Sequence, residues 1–200
     1  MHLFLIRHAE PEPLSDACPD WERPLSALGR AQAEHLAVAL AREKLDSLIS
    51  STMTRAVETA EPLARVLGLP VQQEPALVEI DLGLLAPWGP REREEWVEVA
   101  GRWSDGDLSA CCPGGESLSG VMHRVEPFVH ELVAAPAHRA VAIVAHAVVN
   151  SVVMWALCPD LHPTIGQNLG LSHAGVWELE GGGQNFRVAR WNDTAHLVVV

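Results

Sequence analysis

Two short apolar runs end in histidine, and that pairing is the first chemistry the chain offers. Leu3-Phe4-Leu5-Ile6 leads into Arg7-His8, and Val141-Ala142-Ile143-Val144-Ala145 leads into His146. A third run, Ser47-Leu48-Ile49-Ser50, opens through Ser51-Thr52-Met53-Thr54 onto Arg55. Where parallel strands alternate with helices, ligands sit beyond the carboxyl ends of the strands, so two imidazoles and two guanidiniums are expected along one edge. Guanidinium forks match phosphate oxygens and helix amino termini add unpaired N–H groups, so the set suits a phosphoryl group. Taken singly, each histidine reads as a loop residue; the convergence is what points to a site.

The elements that must position these groups follow from periodicity. Ser26 is placed to cap a helix reaching about Glu43, with Ala33, Leu36, Ala37 and Leu40 at helical spacing. Met53, Val57, Ala60, Ala64 and Leu67 mark a second helix, stopped by Gly68 and Pro70. Pro90 starts an acidic amphipathic helix to about Trp103, and Leu118, Val121, Met122, Val125, Phe128, Val129 and Leu132 trace another, in which Pro127 is expected to cause a kink or a break. The His146 strand leads into an apolar helix over 148–157, stopped by Pro159, and residues 175–180 and 186–191 read as an antiparallel hairpin. Residues 71–85 are less regular, with extended pieces at Val71-Gln72 and Leu77-Val78 and a turn near Gly83; they carry Glu79 and Asp81. This alternation predicts an α/β fold, a three-layer α/β/α sandwich whose central sheet is mostly parallel and whose hairpin supplies an antiparallel edge. Without a linker or a break in composition, residues 1–200 read as a single domain. Residues 10–24, rich in Pro and acidic side chains, form an irregular loop placed to cover the strand edge.

Composition narrows the function. The net charge is -12, with nine Lys+Arg against seventeen Asp+Glu in residues 1–100 and five against nine in the remainder. Such a surface repels nucleic acid and anionic lipid, and Lys44 is the only lysine, so no basic stripe exists; a small anionic substrate is compatible where a few cations focus their field in a cleft. The amino terminus lacks a basic segment with a long apolar core, and no stretch approaches the ~20 apolar residues of a membrane span, so a cytoplasmic protein that does not engage a membrane is expected. Cys18, Cys111, Cys112 and Cys158 show no paired framework and no C-x-x-C, and ten histidines include no H-E-x-x-H; reduced thiols and no metal or other cofactor are expected. A homodimer is compatible with everything above.

The ordered motifs resemble the histidine phosphatase superfamily, also called phosphoglycerate mutase-like. Leu5-Ile6-Arg7-His8-Ala9-Glu10 resembles its R-H-G signature, and Pro24-Leu25-Ser26-Ala27-Leu28-Gly29-Arg30-Ala31-Gln32-Ala33 its P-L-T-x-x-G-x-x-Q-A helix start. Ser50-Ser51-Thr52-Met53-Thr54-Arg55-Ala56-Val57-Glu58-Thr59-Ala60 looks like S-S-x-x-x-R-A-x-x-T-A, and Leu77-Val78-Glu79-Ile80-Asp81-Leu82-Gly83 like the L-x-E-x-x-x-G acid segment. Pro113-Gly114-Gly115-Glu116-Ser117 and Val144-Ala145-His146-Ala147 complete the set, which covers about residues 1 to 155.

The resemblance implies a metal-independent phosphatase of the histidine acid phosphatase type acting on a small phosphomonoester. His8 would be the nucleophile that becomes phosphohistidine, Glu79 the acid and then the base, and Arg7, Arg55, His146 and the amide of Ala147 the holders of the phosphoryl oxygens. Asp81 is the rival acid, because it would share a face with Glu79 in an extended segment; the motif register favours Glu79. Arg55 has a solvated alternative, pairing with Glu58 or Glu61 along its helix. Glu10 and Glu12 read as solvated loop charges, His173 and His196 as surface histidines, and Trp88 or Trp96 as packing residues with a secondary option of facing substrate.

Two departures bear on activity. Alanine follows each catalytic histidine where glycine is usual, and an added Cβ is costly only at positive φ. The Asn often found after the first motif is absent, with Pro13-Leu14 in that region, which argues against the sugar-phosphate mutase subgroup. A phosphoglycerate mutase-like phosphotransferase and a catalytically weak phospholigand-binding regulator are the alternatives.

Overall fold

Six strands, β1 (His2–Arg7), β2 (Ser47–Ser51), β3 (Val71–Glu74), β4 (Ala140–Ala145), β5 (Val176–Gly182) and β6 (Asn185–Asp193), form one sheet in the order β3-β2-β4-β1-β5-β6. They are seen in a computed structural model that describes residues 1–15, 17–83, 90–135, 139–161, 171–183 and 185–197. The first four strands in that order are parallel; β5 runs antiparallel to β1 and pairs antiparallel with β6, so the hairpin forms the expected edge.

Side-chain alternation divides β1 and β4 between two cores. Leu3, Leu5, Val141, Ile143 and Ala145 face one, and Phe4, Ile6, Ala140, Ala142 and Val144 face the other. Strands covered on both faces read as continuous apolar runs, which is why these two were conspicuous in the sequence. Helices α1 (Ala27–Leu40) and α2 (Thr54–Leu67) cover the second face through Leu36, Leu40, Ala56, Ala60 and Leu63. Helices α3 (Pro90–Ser104), α4 (Leu118–Ala134) and α5 (Ala147–Leu157) cover the first through Val99, Val121, Val125, Val129, Val149 and Val153. The result is the three-layer sandwich expected from the alternation.

Local chemistry sets the boundaries. The Ser26 hydroxyl accepts from the Gly29 N–H at 3.0 Å and caps α1, which ends at Leu40, short of the expected Glu43. Gly29 is obligatory, because a Cβ there would lie 2.0 Å from the Glu10 carbonyl oxygen. Gly68, at φ 67°, ends α2 in the left-handed conformation that glycine adopts without strain. Pro127 does not break α4; the helix is continuous through it, with Val121 and Val125 before it and Val129 and Leu132 after it buried in one stripe. That burial outweighs the one backbone bond a proline removes. Leu77-Val78 is not extended with Val71-Gln72: residues 75–77 turn instead, started by Pro75 and by the Glu74 carboxylate accepting from the Ala76 N–H at 2.8 Å. Among the described residues no helix is long and apolar enough to cross a membrane.

Candidate active site

The register of the two central strands brings the histidines together. Arg7 lies opposite Ala145, so His8 and His146 are the next step beyond two adjacent parallel strands, and the His8 N–H donates to the Ala145 carbonyl at 2.9 Å. Their ring centroids are 5.1 Å apart. Both rings are buried, His146 completely.

His8 is held in one tautomer. Its Nδ1 lies 2.7 Å from the Ala9 carbonyl oxygen, which only accepts, so Nδ1 carries the proton and the lone pair is on Nε2. The Nε–H of Arg55 donates to that Nε2 at 3.3 Å. Burial above all, with competition from His146 for any proton and the charges of Arg55 and Arg7, pushes the His8 pKa well below the usual imidazole value and keeps the ring neutral. A neutral imidazole whose Nε2 lone pair is held by no more than a long, exchangeable bond is a nucleophile.

The remaining groups form a ring around it. His146 Nε2 is 2.9 Å from the hydroxyl of Ser51, the last residue of β2, while its buried Nδ1 has no partner. Burial and the nearby Arg55 and Arg7 hold this imidazole neutral too. Arg7 donates through Nη1 to the Leu171 carbonyl at 2.8 Å, and its buried Nε is unpartnered. Glu79 meets the amino terminus of α5, its carboxylate accepting from the Val148 N–H at 3.3 Å and from the Ile80 N–H at 3.0 Å. Burial raises the Glu79 pKa, and these two N–H groups oppose it in part. Asp81, the rival acid, is exposed and accepts from the Gly83 N–H at 2.8 Å, so the two carboxylates do not share a face. The acid segment is fastened by the Glu116 N–H donating to the Asp81 carbonyl at 2.8 Å; a Cβ on Gly115 would lie 2.6 Å from that oxygen.

The described part of 10–24 covers this edge at Asp20–Glu22, and it supplies two groups that the sequence reading left aside. The turn Asp20–Glu22 lies over Arg55, whose Nη1 donates to the Asp20 carbonyl at 2.7 Å and whose Nη2 donates to the Asp20 carboxylate at 3.1 Å. Arg55 is therefore a buried site residue and does not pair along its helix; Glu58 instead accepts from the Leu25 N–H at 2.7 Å. Arg23 binds the other oxygen of Asp20 at 2.8 Å. Glu10 is not simply solvated, since its carboxylate accepts from the Ser26 hydroxyl at 2.9 Å.

His173 is a correction. It is partly buried, with its ring centroid 5.4 Å from that of His8, and burial followed by the charge of Arg7 lowers its pKa to about 4. The signal was available: β5 is antiparallel to β1 with Val176 opposite Ile6, so residues leading into β5 must reach the edge where β1 ends. Ala174, at φ 54°, makes that turn and donates its N–H to the His8 carbonyl at 3.3 Å. A non-glycine residue in this region stores strain of the kind found beside functional sites. His196 bonds the Ala174 carbonyl through Nε2 at 3.0 Å.

The two alanines are accommodated. Neither Ala9 nor Ala147 has a positive φ; Ala9 is wholly buried and donates its N–H to Thr59 Oγ1 at 2.9 Å, and Ala147 is the first residue of α5. Trp96 packs edge-on against Trp103 at 5.2 Å, whereas Trp88 lies outside the described residues. Among the described residues one group, His2, Glu178 and Glu180 on β1 and β5, has metal-ligand character, but Arg190 and Arg187 already engage its carboxylates.

Comparison with known proteins agrees with this arrangement. A profile of the histidine phosphatase superfamily (branch 1) matches residues 3–194. The chain is 34% identical over 158 residues to phosphoserine phosphatase 1 of Hydrogenobacter thermophilus, covering 78% of this chain and 75% of that one. It is 32% identical over 202 residues to glucosyl-3-phosphoglycerate phosphatase of Mycolicibacterium vanbaalenii, covering 90% and 84%. A mycobacterial glucosyl-3-phosphoglycerate phosphatase solved with inorganic phosphate superposes with a TM-score of 0.79 at 27% identity, covering 98% of both chains.

Proposed function

The chain belongs to branch 1 of the histidine phosphatase superfamily, and from that premise we propose that it is a phosphatase hydrolysing a small phosphomonoester through a phosphohistidine on His8. The observation that carries the reading is the His8 Nε2 lone pair, fixed by the Nδ1 bond to the Ala9 carbonyl and facing the Arg55 guanidinium. The relatives named above, a phosphoserine phosphatase and a glucosyl-3-phosphoglycerate phosphatase, support a phosphorylated metabolite as substrate.

In the first step Nε2 attacks phosphorus and the ester P–O bond breaks. Protonated Glu79 delivers its proton to the leaving oxygen, a role for which burial has raised its pKa. The Arg55 Nε–H exchanges its bond to Nε2 for one to a phosphoryl oxygen, while Arg7 and His146 take the other oxygens. The Ala9 carbonyl stabilises the imidazolium as positive charge develops. In the second step Glu79, now a carboxylate, takes a proton from water, the resulting oxygen attacks phosphorus, and the P–Nε2 bond pair returns to the ring. The residues supply the charge stabilisation themselves, and no step calls for a metal.

The same groups support an acid-phosphatase character. His8 stays neutral well below neutrality, and Glu79 must be protonated to assist departure, so turnover is favoured on the acid side of pH 7. That sheet, strap and acid segment all contribute to one edge supports reading residues 1–200 as one catalytic domain. Radiolabelled p-nitrophenyl phosphate should leave an acid-labile phosphoprotein that is absent in His8→Ala. Its absence in the parent protein as well would overturn the mechanism. Free phosphate as product supports hydrolysis, and an isomerised ester from a metabolite panel would support a mutase.

A further inference from the structure

The strap over the site holds an anion of its own, and its placement describes a second binding group. The carboxylate of Asp20 bridges two arginines: one oxygen is 3.1 Å from Arg55 Nη2, the other 2.8 Å from Arg23 Nη2. Arg55 belongs to the phosphoryl site; Arg23 is not needed there. Yet the Arg23 side chain is only 17% exposed, it donates through Nη1 to the Glu12 carbonyl at 3.2 Å, and its Nε is buried without a partner. A guanidinium Nε–H shielded from water and left without an acceptor is expensive unless a ligand uses it.

We propose that Arg23 is a specificity-determining residue that binds a second anionic group, a carboxylate, on the substrate, and that Asp20 occupies this place until the substrate arrives. The inference rests on the phosphatase reading and names the class of ester. The geometry limits it: two guanidiniums contacting one carboxylate are near enough for a small molecule whose phosphoryl group meets Arg55 and whose carboxylate, a few bonds away, meets Arg23.

The charges agree. Arg7, Arg23 and Arg55 face only Asp20 and Glu79 as carboxylates in the contacts described, in a chain of net charge -12. Through the shared Asp20 carboxylate Arg23 sits beside Arg55, and its positive charge acts on Arg7, Arg55, His146 and His173. Protonated Glu79, poised as an acid, leaves the pocket with still less negative charge. A substrate bearing a carboxylate beside its phosphate matches that excess, and an uncharged alcohol portion leaves Arg23 paired only within the strap.

Non-hydrolysable probes separate this from the phosphatase reading itself. Turnover of p-nitrophenyl phosphate, abolished in His8→Ala, reports the reading; competitive inhibition of that turnover reports the inference. Phosphonoacetate should inhibit at least 10-fold more tightly than methylphosphonate in the parent protein, and Arg23→Gln should reduce the ratio to about 1. A parent ratio near 1, or a ratio unchanged in Arg23→Gln, overturns the proposal, as does an equal weakening of both probes, which would make Arg23 a general phosphoryl ligand. Asp20→Asn approaches from the other side. Removing the resident anion should tighten phosphonoacetate, and weaker binding would show that Asp20 organises the pocket without reserving it.

Discussion

Arg7, on β1, and Arg190, on β6, belong to the two strands that flank β5 and have opposite surroundings. Arg190, on β6, is engaged by Glu178, by Glu43 at 2.8 Å and by Asp193 at 3.5 Å, and lies over the Phe4 ring at 5.7 Å. Despite partial burial, those carboxylates raise its pKa. Arg7 has no carboxylate at ion-pair distance among the described residues, only the Leu171 carbonyl and an unused Nε, and burial lowers its pKa. A structural arginine is neutralised by its own chain, whereas a functional one keeps donors for a ligand. Arg55 stands between the two, since its partner Asp20 is carried on a strap outside the sheet.

The largest effect should come from reversing those roles. Arg7→Met is expected to lower kcat by about 10²–10³-fold, as for loss of a group aimed at developing charge, without lowering the midpoint of urea unfolding. Activity within 10-fold of the parent would break the distinction. Next is Glu79→Gln, which should cost about 10²-fold on an alkyl phosphate and much less on p-nitrophenyl phosphate, whose leaving group needs little protonation. It should also remove the alkaline limb of kcat measured at saturation. Equal losses on both esters would mean that Glu79 organises the α5 amino terminus without transferring a proton.

On the hairpin side the readout is stability. Arg190→Met leaves the buried carboxylate of Glu178 with His2 as its one remaining side-chain partner and should cost about 1–3 kcal/mol in urea unfolding, with kcat/KM within twofold. A fall in activity larger than the fall in folded fraction would show that the hairpin edge communicates with the site.

Legibility in the sequence followed the same division. His8, His146 and Arg55 could be placed because doubly covered parallel strands leave long apolar runs, and each run ends where its strand does. Glu79 was found only through motif register, since the segment around it turns at Pro75 and has no period to read. The helix through Pro127 was legible from its apolar stripe, and of the two expected effects of the proline the break does not occur, because burial on both sides of it compensates for the missing N–H. Arg23, Asp20 and His173 were missed for a common reason: each sits in an irregular segment whose position depends on a distant strand pairing. The start of the strap is tied down by the Pro11–Leu25 bridge and by the Glu10 backbone against Gly29, neither of which has a periodic signature.

The smallest effect tests whether the site is maintained at a cost to stability. In His8, His146 and His173 burial lowers the pKa, to about 4 for His173, while an unfolded imidazole titrates near 6.5. Below about pH 6.5 the unfolded chain therefore takes up protons that the folded site refuses, and stability falls with pH by up to about 1.4 kcal/mol per unit for each histidine. Glu79, with its pKa raised, has the opposite sign: its folded form binds a proton before its unfolded form does, and it offsets part of the loss in the acid range. At the hairpin, burial pushes the Glu178 carboxyl up but Arg190 and His2 outweigh it, so that region loses stability only once the pH falls below the ordinary carboxylate range. Urea unfolding at pH 7 and 5.5 should thus show a weaker protein at the lower pH, and His173→Asn should recover about 1 kcal/mol of the difference. An unchanged pH dependence in His173→Asn would mean that this ring opens to water as readily as it packs beside His8, and the third imidazole would then belong to the surface after all.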